Sequence, residues 1–254
     1  MFENSSKMTL TTQDDACSLQ DFSSLSEAEL RALDTSLQAQ DSPRWDAFYQ
    51  DRAKPIPFFG EQPDESLAAW LDDGHFPVNR GRALDLGCGN ARNAIHLARS
   101  GFQVEALDYS AQAIAWARER VAASGTEVTL RQGDFFELAL PEGAYDLVYD
   151  SGCFHHIAPH RRAGYVARVL RALKPGGHFG LCSFRPEGGS GFSDAEVYAR
   201  HSLGGGLGYS EAQLRALWSP ALQLRELRQM RKPAADSGRF GETFLWVMLG
   251  QKQA

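Results

Sequence analysis

At 254 residues, with 43% apolar and 23% charged side chains, the chain is long enough for one large α/β domain, with or without an arm. Its net charge of −6 argues against the broad basic footprint of a nucleic-acid binder. There is no run of the roughly 20 apolar residues that span a bilayer, no basic-then-apolar leader and no CxxC pair, so a reduced, soluble, cytoplasmic protein is expected.

Residues 1 to about 40 are polar and rich in Ser, Thr and Gln, which predicts a loose arm. Within it, Ser26 followed by Glu29 is a capping-box pattern and predicts one helix. The domain proper is expected over 41–254. Its first part, 41–80, carries Trp45-Asp46-Ala47-Phe48-Tyr49-Gln50-Asp51-Arg52 and Pro55-Ile56-Pro57-Phe58-Phe59, aromatic segments that read as a helix packed on the sheet or as a lid over a ligand. From 82 onward, short apolar runs alternate with helical patterns, the signature of βαβ units and a parallel sheet. Strands are expected at 83–86, 103–107, 128–131, 145–149, 178–184, 222–230 and 244–249. Ser110 as N-cap, an apolar stripe of Ala113, Ile114, Ala117 and Val121, and Gly125 past the end predict a helix after the second strand. Another runs over 161–173 and stops at the turn Lys174-Pro175-Gly176-Gly177. Glycine clusters flank a short helical stretch within 185–210, a segment that reads as a hinged acceptor-side cover or as a plain loop. The short link 232–238 favours an antiparallel hairpin, and Arg225, Arg228, Arg231 and Lys232 read as a solvated face.

The stretch Asp85-Leu86-Gly87-Cys88-Gly89-Asn90-Ala91-Arg92-Asn93 puts an acid and two close glycines where the first strand turns into a helix. Glycine permits tight dihedrals and lets a ligand approach the backbone. A dinucleotide fingerprint would need glycine where Arg92 stands. Asp108, ending the second strand, can accept from two ribose hydroxyls. After the third strand, Asp134 offers an acceptor for an exocyclic amine, and Phe135-Phe136 an aromatic wall for a purine. Together these describe a nucleoside site with no pyrophosphate requirement.

On these residues the chain resembles, over about 41–254, the class I S-adenosylmethionine-dependent methyltransferases. The resemblance implies a doubly wound, Rossmann-like α/β fold with a seven-stranded, mostly parallel sheet and an antiparallel last strand, and S-adenosylmethionine as cofactor. It implies the Gly87-Cys88-Gly89 backbone under the methionine moiety, Asp108 on the ribose and Asp134 with Phe135 at the adenine, with Asp85 either in the cofactor set or bracing the loop through backbone N–H groups. Asn93, Tyr109 and Asp150 complete the expected cofactor set. Many members have a third glycine where this chain has Ala91, and the opening helix is expected to give Ala91 the negative φ that alanine prefers.

Methyl transfer from a sulfonium is an in-line displacement, so the acceptor must present a free lone pair. A thiol with a pKa of about 8.5 needs little help, whereas an alcohol needs a base or a metal. The segment leaving the fourth strand, Tyr149 to Arg162, lacks the N-P-P-Y type sequence of amide and adenine N-methyltransferases. At Tyr149, Asp150, Gly152, Phe154, Ile157, Pro159, Arg162 and Tyr165 it is similar instead to the thiopurine S-methyltransferase and tellurite-resistance methyltransferase branch, with Ser151 where the thiopurine enzymes commonly carry arginine. This implies a small, soft acceptor, most simply a thiol sulfur. The alternatives are O- or N-methylation of a small natural product, or a non-catalytic cofactor-binding module. His155, His156 and Asp150 are the catalytic candidates, one histidine serving as base. Tyr49, Arg52, Phe58, Phe59 and Cys153 are candidates for the lid or the acceptor, Arg52 for an anionic group. The spacing of Cys153, His155, His156 and His160 matches no structural zinc pattern, so no metal is expected. The expected partner is a small-molecule acceptor, neither nucleic acid nor membrane, for a monomer or small homo-oligomer.

Overall fold

In the computed structural model the described residues are 19–37, 42–76 and 81–253; the rest of the expected arm, including Cys17, lies outside them. Seven strands form one sheet in the order β3-β2-β1-β4-β5-β7-β6. These are β1 (Arg82–Leu86), β2 (Gln103–Asp108), β3 (Val128–Gln132), β4 (Tyr145–Ser151), β5 (Leu173–Phe184), β6 (Leu222–Gln229) and β7 (Leu245–Lys252). The first five pair in parallel, and β7 runs antiparallel between β5 and β6. The expected seven-stranded sheet with a reversed last strand is thus present.

Alternation along the central strands feeds two cores, because successive side chains leave a strand on opposite faces. Leu84, Leu86, Val148, Phe179 and Leu181 join one core. Helices α6 (Arg162–Ala172) and α8 (Glu211–Trp218) pack there through Tyr165, Val169 and Trp218. Ala83, Val104, Ala106, Leu147 and Tyr149 join the other core. It is covered by α3 (Glu65–Asp72), α4 (Arg92–Arg99) and α5 (Ala111–Ser124) through Trp70, Leu97 and Ile114. The predicted caps of α5 are formed: Ser110 Oγ accepts from Ala113 N, and Gly125 is left-handed. Among the described residues no helix is long and apolar enough to cross a membrane.

Three features depart from expectation. The described part of the arm is not loose: α1 (Glu27–Ser36) carries the predicted capping box, Leu37 is buried, and Asp34 binds His160 Nε2 at 2.8 Å and pairs with Arg161. The turn 174–177 lies inside β5. Leu173 already pairs with Tyr145, the register then shifts, and pairing resumes at Leu147 and His178. Finally, Ala91 precedes α4 with φ of +64°, not a negative value. Its N–H bonds Cys88 O at 2.8 Å, so the tight loop reverses before the helix opens and the alanine carries the left-handed strain.

Candidate functional site

The chain runs outward from β1 to β2 and β3, then crosses back to β4 beside β1. Such a switch point opens a crevice at the carboxyl ends of the strands, where ligands bind in open α/β sheets. Two cavities of about 800 and 610 Å³ lie there. Trp45, Tyr49, Gly87, Gly152 and His156 line both, so they meet at the exits of β1 and β4.

The larger cavity is lined by Asp108, Tyr109, Asp134, Phe135 and Cys153. Asp108 is buried; its Oδ2 accepts from Gly89 N at 2.9 Å and its Oδ1 from Ser110 N at 2.8 Å. Burial raises its pKa to about 6, and the two N–H groups limit the rise. A carboxylate holds about four acceptor sites, so two remain for a diol. Asp134 Oδ1 accepts from Phe136 N at 2.7 Å, and burial raises that carboxyl also. Cys153 stays a thiol, because burial, reinforced by Asp150, pushes its pKa well up.

The smaller cavity is lined by Asp85, Gly87, Cys88, Gly89 and Asn93 from the glycine loop, by Phe58, and by His155 and His156 from the turn after β4. Asp85 Oδ2 is buried and has no hydrogen-bond partner, and burial pushes its carboxyl pKa well up, so a cationic group entering the cavity would pair with that oxygen and restore its charge. Gly87 and Gly89 both have positive φ, and no side chain fits at either. A Cβ on Gly87 would lie 2.8 Å from Cys153 Cβ, and one on Gly89 would lie 2.8 Å from Tyr49 Oη. The loop therefore needs bare backbone. Orphan acceptor, diol-ready carboxylate and bare loop suit a nucleoside bearing an amino-acid arm. Among the described residues no group of His, Cys, Asp and Glu is arranged to hold a metal.

The segment expected as a helix or lid forms α2 (Ser42–Gln50) and the turn Pro57–Phe59, and both line the smaller cavity. Asp46 Oδ1 accepts from Ser110 Oγ at 2.6 Å, fastening α2 to the N-cap of α5. Asn90 Nδ2 donates to Phe59 O at 3.0 Å, fastening the turn to the glycine loop.

The two histidines divide their roles through one bond. Phe184 N donates to His155 Nδ1 at 3.3 Å. A backbone N–H can only donate, so neutral His155 carries its proton on Nε2. Burial, with a small contribution from His156, holds its pKa well below the usual range, so the ring is neutral at physiological pH. It presents a donor, not a base. His156 Nδ1 is buried without a partner. Burial and the nearby Arg44 charge lower its pKa to about 3, leaving a neutral ring of low basicity where the cavities meet. In heteronuclear NMR, both rings are expected to stay neutral from about pH 8 down to about pH 5, with His155 as the Nε2–H tautomer. A His155 ring protonated on Nδ1 would contradict the assignment.

Three expected site residues face elsewhere. Asp150 lines neither cavity: it is buried, accepts from Cys153 N at 2.7 Å and Phe154 N at 2.9 Å, and bonds Tyr165 Oη. It braces the histidine turn from below. Arg52 pairs with Glu119 at 2.5 Å, lies over Trp116 and lines neither cavity. Phe59 is buried in the small cluster with Tyr49 and Ala113. Sequence reasoning also left out residues that the fold brings in. Trp45, Arg92, Phe184 and Phe244 all line the smaller cavity, and only Trp45 carried a local signal, the aromatic richness of its segment.

Residues 83–177 match the family model described as a methyltransferase domain. An uncharacterized methyltransferase of Schizosaccharomyces pombe is 32% identical over 120 residues, which is 47% of this chain and 83% of that protein. The 2-heptyl-1-hydroxyquinolin-4(1H)-one methyltransferase of Mycobacteroides abscessus is 31% identical over 141 residues, 55% of this chain and 60% of that protein. The chain spans about half the length of several other curated relatives. A solved structure from work on the conversion of a disulfide bond into a thioacetal group during echinomycin biosynthesis has the same fold, with a TM-score of 0.66 at 24% identity over 84% of this chain and 92% of that one.

Proposed function

This chain belongs to the class I S-adenosylmethionine-dependent methyltransferases, and on that premise we propose that it methylates a small-molecule acceptor, with a thiol sulfur as the accepting atom. When bound, S-adenosylmethionine supplies an electrophilic methyl group on a sulfonium. Asp108 would take the ribose hydroxyls and Asp134 the adenine amine, in the larger cavity. Asp85, with its unpartnered oxygen, would hold the ammonium of the methionine arm in the smaller one. The remainder of the smaller cavity is left to the acceptor.

The observation that carries the sulfur reading is the pair of neutral histidines at the junction. His155 offers a proton, and His156, with a pKa of about 3, is too weak a base to ionise an alcohol. A thiol with a pKa of about 8.5 supplies enough anion by itself near neutral pH. The similarity of Tyr149 to Tyr165 to the thiopurine and tellurite branch points the same way. A second reading, an acidic ring hydroxyl, is favoured by the name of the Mycobacteroides relative, and such a group also ionises unaided. Incubation with S-adenosylmethionine and a panel of aromatic thiols, acidic heteroaryl hydroxyls, alcohols and amines tests both by mass spectrometry. S-adenosylhomocysteine and a methyl thioether are expected from the thiols; product from alcohols or amines alone would overturn the reading.

A further inference from the structure

Among the described residues three large hydrophobic side chains are exposed, Phe58, Tyr109 and Phe244, at 40%, 38% and 38%. Phe58 and Phe244 both line the smaller cavity although they lie far apart in the chain, one in the turn after α2 and one beside β7. From each, a ladder of rings descends to the histidines. On the α2 side Phe58 stacks on Phe48 with centroids 6.2 Å apart, Phe48 meets Trp45 at 5.6 Å, and Trp45 meets His156 at 4.7 Å. On the sheet side Phe244 meets Phe184 at 6.0 Å, and Phe184 lies nearly parallel to His155 at 3.6 Å. The backbone fixes the outer rung, since Phe244 O accepts from Arg185 N at 2.9 Å.

Two aromatic walls thus lead from solvent to the junction, and their outer rings remain open to water. A ligand sealed wholly inside would leave the outer faces of these rings open to water; one that emerges between them would cover both. Arg44 and Lys54 add positive charge to the same cavity, complementing an anionic head. We propose that the acceptor is an amphiphile, with a flat ionisable head at the histidine pair and an apolar tail that leaves the cavity between Phe58 and Phe244. This rests on the reading of the smaller cavity as the acceptor site.

The test uses thiophenol and 4-alkylthiophenols from methyl to heptyl as probes. Their binding to the S-adenosylhomocysteine-loaded protein is measured by calorimetry and their turnover with S-adenosylmethionine by mass spectrometry. Affinity is expected to rise about two- to fourfold per methylene while the tail lies between the rings. In the double variant Phe58→Ser/Phe244→Ser that slope should flatten. No dependence on chain length in the wild type, or an unchanged slope in a folded double variant, would overturn the proposal. Overturned too would it be by a wild-type dimer, lost in the double variant, with no chain-length dependence; the rings would then serve self-association. A slope in binding without methylated product would support the tail while refuting methyl transfer to thiols, and methylated product without a slope would do the reverse.

Discussion

Replacing Asp108 by alanine is expected to weaken S-adenosylhomocysteine binding by roughly 10²-fold or more, since two charge-assisted hydrogen bonds are each worth about 1.5–3 kcal/mol. The carboxylate is buried at the end of β2, two backbone N–H groups aim it, and its remaining acceptors face the larger cavity. The same bonds hold Gly89 and Ser110, so the melting temperature of the variant is read alongside its affinity. Asp108→Asn retains one carbonyl acceptor and should lose less. The pH dependence follows from the raised pKa of about 6. Above that value the group is a carboxylate, as the proposed ribose contact requires; below it, protonation would remove acceptor capacity and the attraction for the cofactor. Calorimetric affinity should be flat above about pH 7 and fall as pH drops through about 6. Wild-type affinity in Asp108→Ala would refute the ribose assignment.

The Arg92→Ala protein is expected to melt about 10 °C below the wild type, because breaking a buried ion pair costs about 3–5 kcal/mol. Arg92 sits beneath the smaller cavity, 2.6 Å from Asp64 Oδ1, and donates to Gln62 O and Ser151 Oγ at 3.0 Å each. Removing it strands the fully buried Asp64, which retains the Tyr149 hydroxyl, Asn93 and the Cys182 thiol as neutral partners and no cation. The ion pair also ties the opening of α4 to the segment before α3, so cofactor affinity should fall with stability. A shift of less than about 2 °C in scanning calorimetry would contradict this role.

Alternating apolar runs, the Ser110 and Gly125 caps and the glycine loop were legible in the sequence because each is a local pattern with one physical solution. The left-handed φ of Ala91 is not legible there, because it is set by a loop closing on Cys88, which the type of residue does not reveal. Arg52 and Asp150 are charges whose partners, Glu119 and Tyr165, come from other elements, so sequence alone could not tell pairing from ligand binding. The tautomer of His155 depends on the backbone of Phe184, and the aromatic wall at Phe244 depends on the hairpin returning beside β5. Both are products of topology.

On the proposed function the acceptor reacts as its own anion while the protein supplies no base. The most direct test is kcat/KM against pH for a series of substituted thiophenols of differing acidity. Each profile is expected to rise and then level at a pH that follows the pKa of that acceptor. With S-adenosylmethionine saturating, so that the titration of Asp108 near pH 6 does not limit the rate, a break at one common pH for every acceptor would reveal a base on the protein and overturn the proposal.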